Sequence, residues 1–222
     1  DPQQRVFLEG AWAALENAGY AGDDIAGQSC GVYVGCCGGD YQDLFINHPS
    51  PQSLWGNMAS VIPARIAYAL DLKGPALAID TSCSSSLVAI HAACKDLRDG
   101  EAEMALAGGV FVQATSKLYL SAGRAGMLSP NGRCHTFDSR ADGFVPGEGL
   151  GILVLKRLSR ALADGDFVHG VIVGSGTNHD GTTNGITAPS AVSQEALLRR
   201  VHDEFSIDPL DIDMVETHGT GT

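Results

Sequence analysis

Between Gly74 and Gly100 the sequence reads GPALAIDTSCSSSLVAIHAACKDLRDG, and its apolar period changes part-way along. Leu77 and Ile79 alternate with Ala76 and Ala78, which predicts a short strand over Ala76 to Thr81 with small or apolar residues on both faces, hence a buried one. From Ser84 the period becomes helical. Leu87, Ile90, Cys94 and Leu97 fall on one stripe, while Ser85, Ala89, Ala92 and Ala93 form a second face able to lie close against neighbours. Asp99-Gly100 ends the helix with a residue free to adopt positive φ. A strand that runs straight into a helix leaves few folds open, and Cys83 stands at the junction.

That junction has chemical meaning. The first N–H groups of a helix lack partners, and its dipole favours negative charge there by about 0.3–1 kcal/mol. A cysteine so placed is biased toward the thiolate, the nucleophilic form. A buried structural cysteine is the other reading of the same residue, and spacing alone leaves the two even.

The whole chain bounds the remaining possibilities. Its 222 residues, 44% hydrophobic, can bury a substantial core, and 28 glycines imply many tight turns and close backbone approaches. No apolar run reaches the roughly 18 residues of a membrane helix, so no membrane segment is expected. The net charge of −12 argues against a nucleic-acid surface. Cysteines at 30, 36, 37, 83, 94 and 134 form no CxxC pair and no metal-like spacing with histidine, so neither zinc nor a disulfide framework is indicated. With no charged-then-apolar leader at Asp1, a reducing cytoplasm is the expected setting.

Taken in order, DPQQRVFLEGAWAALENAGY predicts an amphipathic helix with Pro near its start and Val6, Leu8, Ala11, Trp12 and Leu15 as its apolar residues. Ser29 to Gly35 reads as a strand, CCGGDY as a turn in which Cys36 and Cys37 are packed small side chains, and Asn57 to Leu70 as a helix broken at Pro63. Met104 to Val112 is a strand whose Gly108-Gly109 allows a bulge or close approach. Leu118 to Gly149 reads as a long ordered loop. Leu150 to Leu155 is a strand, Arg157 to Asp164 a short helix, Val168 to Gly174 a strand, Ser190 to Phe205 a capped helix and Asp213 to Thr217 a last strand.

Alternating strands and helices predict an α/β fold with mostly parallel sheets, where ligands gather beyond the carboxyl ends of strands. Cys83 and His218 each follow such an end, which pairs a nucleophile with a base. His91 reads as packed; His48, His135, His169 and His202 read as surface residues. The GSG at Gly174 to Gly176 completes no dinucleotide fingerprint, and no GxSxG is present.

The stretches DTSCSSSLVAIHAAC, GRCHTFDSRADGFVPGEG and VETHGTGT resemble the β-ketoacyl synthase (ketosynthase) domain of modular polyketide synthases, and the likeness runs from DPQQR at Asp1 to HGTGT at Thr222. It implies a thiolase-like fold, layered α-β-α-β-α, in a homodimer. It implies acyl transfer from a phosphopantetheine thioester to Cys83, then decarboxylation of a malonyl-type extender on an acyl carrier protein and Claisen condensation to a β-ketoacyl thioester. The carrier protein is the implied partner, with no cofactor bound directly and no metal. Of the family's two catalytic histidines the first falls on His218, to polarise the extender carbonyl or assist carboxylate loss; Thr220 and Thr222 match the hydroxyls that bind the pantetheine arm. His179 matches no family role.

The family's second histidine, the KxNxGH lysine and a glycine-rich oxyanion loop lie beyond Thr222, and its first strand lies before Asp1. Residues 1–222 are therefore expected to be a partial domain, incomplete at both ends. About 1–165 would be the N-terminal half lacking its first strand, and about 166–222 the start of the C-terminal half. A non-elongating ketosynthase that holds and passes on acyl chains is the alternative activity. Altered residues at Ser116 to Gly123 leave the acyl tunnel's shape open. The resemblance also implies that the strands near Val32 and Ile79 are neighbours, that those near Leu106 and Leu153 pair with each other on the far side of the missing central strand, and that a gap separates the two pairs. On that basis residues 1–222 alone are expected to be loosely packed or poorly soluble, and inactive.

Overall fold

A computed structural model of the chain describes residues 1–48 and 50–222. It divides into two units, Asp1–Arg157 with Thr217–Thr222, and Leu158–Glu216.

The first unit is ordered α1 (Pro2–Asn17), β1 (Cys30–Gly35), α2 (Ser53–Gly56), α3 (Val61–Ala69), β2 (Ala76–Ile79), α4 (Ser85–Asp99), β3 (Met104–Phe111), α5 (Lys117–Arg124) and β4 (Gly149–Lys156). Its four strands form one sheet in the order β2-β1-β3-β4. β1 runs parallel to β2 and β3, in the registers Val32↔Ala76 and Val32↔Leu106, and β4 closes antiparallel on β3 with Leu106↔Val154.

The period of two along β1 and β3 sorts residues between the two faces. Val32, Val34 and Leu106 meet Phe7, Ala11 and Leu15 of α1 and Ile62 and Ile66 of α3. Tyr33, Ala105 and Ala107 meet Ala89, Ala93 and Leu97 of α4. Every residue of β1 is buried, so it is the centre of an α-β-α sandwich. Tyr33 also donates its hydroxyl to Asp96 Oδ2 of α4 at 2.7 Å, satisfying the one polar atom on that buried ring.

α4 sits closer to the sheet than large side chains would allow. Its buried residues are Ser85, Ala89, Ala93 and Leu97, whereas Leu87 is 71% exposed. The small-residue face packs, because it faces the alanines of β3, and of the Leu87–Ile90–Cys94–Leu97 stripe Leu97 is buried and Ile90 packs at the edge of the same cluster while Leu87 is left outside. A Cβ at Gly35 would fall 2.4 Å from Ser85 C and Ser86 N, and one at Gly109 would fall 2.7 Å from Ser86 Cβ. The Gly108-Gly109 pair therefore marks close approaches: a Cβ at Gly108 would meet Gly151 O at 1.9 Å.

Several expectations from sequence change here. β2 is an edge strand, with Ala76 and Leu77 exposed, so it is not buried on both sides. β1 pairs directly with β3 from Cys30↔Met104 to Gly35↔Gly109, so no gap divides the sheet and the expectation of loose packing loses its ground. Pro63 lies in the first turn of α3, where a missing N–H interrupts nothing, and the helix continues through it. α1 buries Gln3, Gln4, Phe7, Ala11 and Leu15 while Trp12 is 38% exposed. The Leu118–Gly149 stretch opens with α5, which buries Ala122; two turns broken by Ser121 and Gly123 carry too little periodicity to be read. Gly100 ends α4 at φ 84, as expected.

The second unit holds α6 (Leu158–Asp164) and α7 (Ala191–Phe205), the latter capped by Ser190 accepting from Ser193 N. The strands expected at 168–174 and 213–217 carry no regular secondary structure and no ladder partners among the described residues. A strand exists only through its neighbour, and apolar alternation cannot supply one. Instead Arg200 donates to Thr177 O at 2.6 Å and Asn178 to Ser193 O at 2.7 Å, and Gly174 and Gly176 let the backbone pass Phe205 and Val201 of α7.

Gly35→Ala tests the close helix–sheet contact. Because the intruding methyl meets helix backbone, which cannot rotate away, the variant is expected to lose about 1–3 kcal/mol or more by denaturant unfolding. An unchanged midpoint would show that α4 can move off the sheet.

Candidate active site at the carboxyl edge of the sheet

β1, β2 and β3 run parallel, so the loops that leave their carboxyl ends share one edge. The turn that carries Cys83 and a clamp between two of these loops lie there.

After β2 the chain makes a 3-10 turn, Ser82–Ser84, before α4 begins. Cys83 is the middle residue of that turn and is exposed. The turn is held by its own polar side chains. Ser82 N donates to Asp80 Oδ1 at 3.0 Å, Thr81 N to Ser85 Oγ at 2.9 Å, Ser85 Oγ to Ser82 O at 2.6 Å and Ser84 Oγ to Thr81 O at 2.9 Å. Ser82 adopts φ 56, a left-handed conformation uncommon for a residue with a side chain.

The other thiols differ in setting. Burial pushes Cys30 up to about 12 and Cys36 up to about 11, and raises Cys94 as well. Cys37 is raised first by burial and then by the Asp80 carboxylate that its thiol faces at 3.6 Å. It is thus more than a packed small side chain. Cys134 is exposed but lies in a loop, where its sulfur accepts from Val145 N at 3.3 Å. Cys83 alone combines exposure with the entry to a helix.

The HGTGT segment belongs to the same unit as Cys83 and is seated on the 134–143 loop. Thr136 Oγ1 donates to Gly219 O, and Gly143 N to Gly221 O at 3.2 Å. Gly219 and Gly221 have φ of +54 and +75, and a Cβ at Gly221 would fall 2.8 Å from His135 N. Glycine at alternate positions brings the hydroxyls of Thr220 and Thr222 within 2.9 Å of each other. His218 is exposed at the head of this segment; among the described residues it follows no strand, and no hydrogen bond joins it to Cys83. Thr136 escaped notice in the sequence; its only signal was a polar residue in a glycine-rich, charged loop.

The clamp ties the loop after β1 to the loop after β3. Asp40 accepts from Ala114 N at 2.8 Å and Thr115 N at 2.9 Å, and from Thr115 Oγ1. Burial works to raise this carboxyl, but the donors from Thr115 and Ala114 outweigh it and hold the group below its ordinary value. Among the described residues no three His, Cys, Asp or Glu side chains are placed to hold a metal ion.

The family models supply the identity. The β-ketoacyl synthase N-terminal domain matches residues 1–161, and the β-ketoacyl synthase C-terminal domain matches residues 169–222. The chain belongs to the β-ketoacyl synthase family. It is similar to polyketide synthase PksM of Bacillus subtilis, 50% identical, with all of this chain covering 5% of that protein. It is 47% identical to polyketide synthase GfsA of Streptomyces halstedii, covering 3% of it. Among solved structures, the ketosynthase from module 6 of the bacillaene synthase of Bacillus subtilis matches with a TM-score of 0.93 at 50% identity, over all of this chain and 38% of that one. An oxazolomycin ketosynthase domain from Streptomyces albus matches with a TM-score of 0.93 at 39% identity, over 40% of its length. The fold is the thiolase-like α/β fold, of which this ketosynthase chain spans less than half the length of its solved relatives. Among the described residues no helix is long and apolar enough to cross a membrane.

Two outcomes follow from these settings. Iodoacetamide near neutral pH should label Cys83 and Cys134 while Cys30 and Cys36 stay protected until unfolding, read by peptide mass mapping; early labelling of Cys30 would contradict its burial. Asp40 has a depressed value when folded, so its stabilising contribution is present above the unfolded carboxylate range and lost as pH falls through the folded value. Asp40→Asn should therefore flatten the acid limb of a stability–pH curve, and an unchanged limb would exclude the clamp as a source of it.

Proposed function

We propose that the chain carries the acyl-accepting part of a ketosynthase that extends polyketide chains by decarboxylative Claisen condensation. The observation that carries this reading is the exposed Cys83 at the entry to α4, in a chain that matches β-ketoacyl synthase models along nearly its whole length. Cys83 Sγ attacks the carbonyl of an acyl group held as a phosphopantetheine thioester on an acyl carrier protein. A new carbon–sulfur bond forms, and the carrier thiol leaves with the proton that the cysteine gave up. An extender thioester on a carrier protein then loses carbon dioxide, and its carbanion attacks the acyl-cysteine, returning the Cys83 thiolate.

His218 serves the second step, its N–H donating to the extender's thioester oxygen as enolate charge develops. Thr220 and Thr222 hold the pantetheine arm, a role supported by the two adjacent hydroxyls of the glycine-hinged segment. No cofactor is bound directly; the substrates bring their own phosphopantetheine. The halves divide near residue 165, which the two family matches support. The complete domain works as a cytoplasmic homodimer.

Cys83→Ser and His218→Ala in the complete domain test this assignment. Cys83→Ser should abolish the acyl-enzyme seen by intact mass after incubation with an acyl carrier thioester. His218→Ala should still load, while carbon dioxide release from malonyl carrier protein falls by about 10²-fold or more. Loading on a cysteine other than Cys83 overturns the nucleophile. Lost loading with normal carbon dioxide release overturns the histidine. A wild-type domain that loads but never decarboxylates is the non-elongating form.

A further inference from the structure

One oxygen of Asp80 receives two donors from different parts of the fold. Ser82 N reaches Asp80 Oδ1 at 3.0 Å, and the Cys37 thiol, two residues past the end of β1, reaches the same oxygen at 3.6 Å. Ser82 is the residue directly before Cys83, and its φ of 56 is one that an L side chain holds only when its surroundings impose it. Both of its backbone polar groups are engaged, the N–H by Asp80 and the C=O by Ser85 Oγ at 2.6 Å. The Ser85 end of this arrangement is fixed, since Ser85 is buried where α4 meets the Gly35 backbone. The other end depends on a single exposed carboxylate.

We propose that Asp80 is a positioning residue for Cys83: its carboxylate holds Ser82 in the left-handed conformation and, through the Cys37 thiol, ties the turn to the loop after β1. Asp80 touches no reacting atom in this role. It sets the backbone from which Cys83 projects. Without it, Ser82 relaxes toward negative φ and the sulfur leaves the geometry in which it meets a carbonyl. The raised value of Cys37, caused first by burial and then by the carboxylate, keeps that thiol a donor and keeps it from competing as a second nucleophile.

The test compares Asp80→Ala, Asp80→Asn and the double variant Asp80→Ala/Ser82→Gly in the intact ketosynthase domain. Two rates are read: alkylation of Cys83 by iodoacetamide, and acyl loading from an N-acetylcysteamine thioester. Only the loading arm rests on the function proposed above. Asp80→Ala should slow both by about tenfold, the scale of one lost hydrogen bond to a charged group. Asp80→Asn keeps an acceptor oxygen and should stay within about twofold of wild type. Glycine adopts positive φ without help, so Ser82→Gly should restore most of the loss in the Asp80→Ala background. Asp80→Ala equal to wild type, Asp80→Asn as slow as Asp80→Ala, or no recovery with glycine each overturns the proposal. If Asp80→Ala loses cooperative unfolding, a folded and reactive double variant supports the role through Ser82, and an unfolded one overturns it. A wild-type domain that alkylates at Cys83 yet loads no acyl group defeats the functional reading, while the alkylation series still decides the role of Asp80.

Discussion

The first turn of α4 rests on bare sheet backbone, and the position of the reactive turn follows from that contact. At Gly35 and Gly109 there is no side chain to hold the helix away, and Ser85 and Ser86 occupy the space a Cβ would need. Farther along, Ala89 and Ala93 face Ala105 and Ala107, so the helix keeps the same short distance from the sheet over several turns. Close-packed interiors resist displacement of even a methyl group, so the start of α4 has one position relative to β1 and β3. Cys83 lies two residues before that start. Its location is therefore an outcome of glycine and alanine placement as much as of the DTSCSSS motif.

Beyond the sheet edge the means of holding the chain changes. Loops that carry an exposed thiol, an exposed histidine and a pair of hydroxyls cannot be fixed by burial of apolar surface. The described contacts are instead hydrogen bonds between short polar side chains and backbone: Asp40 accepts from the loop after β3, Asp80 and Ser85 accept from the turn after β2, and Thr136 donates to the HGTGT segment. Each joins residues whose side chains are too short to adapt, which restricts geometry more than a long ion pair would. The surface pairs Lys73–Asp71 and Arg199–Glu195 illustrate the contrast, since both link exposed partners within one local stretch.

The helices and central strands could be read from sequence because their residues repeat with a period that burial enforces. Ala11 and Leu15, or Val32 and Val34, are apolar since each faces the core, though Phe7, buried beside them, is not among the residues the pattern names. At Cys83 the place expected from sequence, between a strand and a helix, is the place observed. What escaped the sequence depends on partners. β2 looked buried because small apolar residues suit an interior strand as well as an edge. The segments 168–174 and 213–217 alternate like strands, yet among the described residues no ladder forms on them. On α4 the small-residue face could be read as one able to lie close against neighbours, but the exposure of Leu87 could not, since fit against an alanine-lined sheet outweighs hydrophobicity there. The Asp40, Thr136 and Asp80 contacts carry no periodic signal, as each pairs a side chain with backbone distant in sequence or with a locally unusual φ.

Six thiols of one intrinsic chemistry become distinct through these surroundings. Burial holds Cys30, Cys36 and Cys94 protonated, and Cys37 is held so by burial together with the carboxylate it faces. Cys134 reaches solvent from a loop, with its sulfur engaged by Val145 N. Selectivity for Cys83 thus has two sources. One is its exposure at the entry to α4; the other is the set of environments that withhold the thiolate from its neighbours. The second source matters most at Cys37, which shares Asp80 with the reactive turn and stands nearest to competing with it. The same carboxylate that orders Ser82 keeps that competitor protonated, so one side chain shapes the turn and silences the thiol beside it.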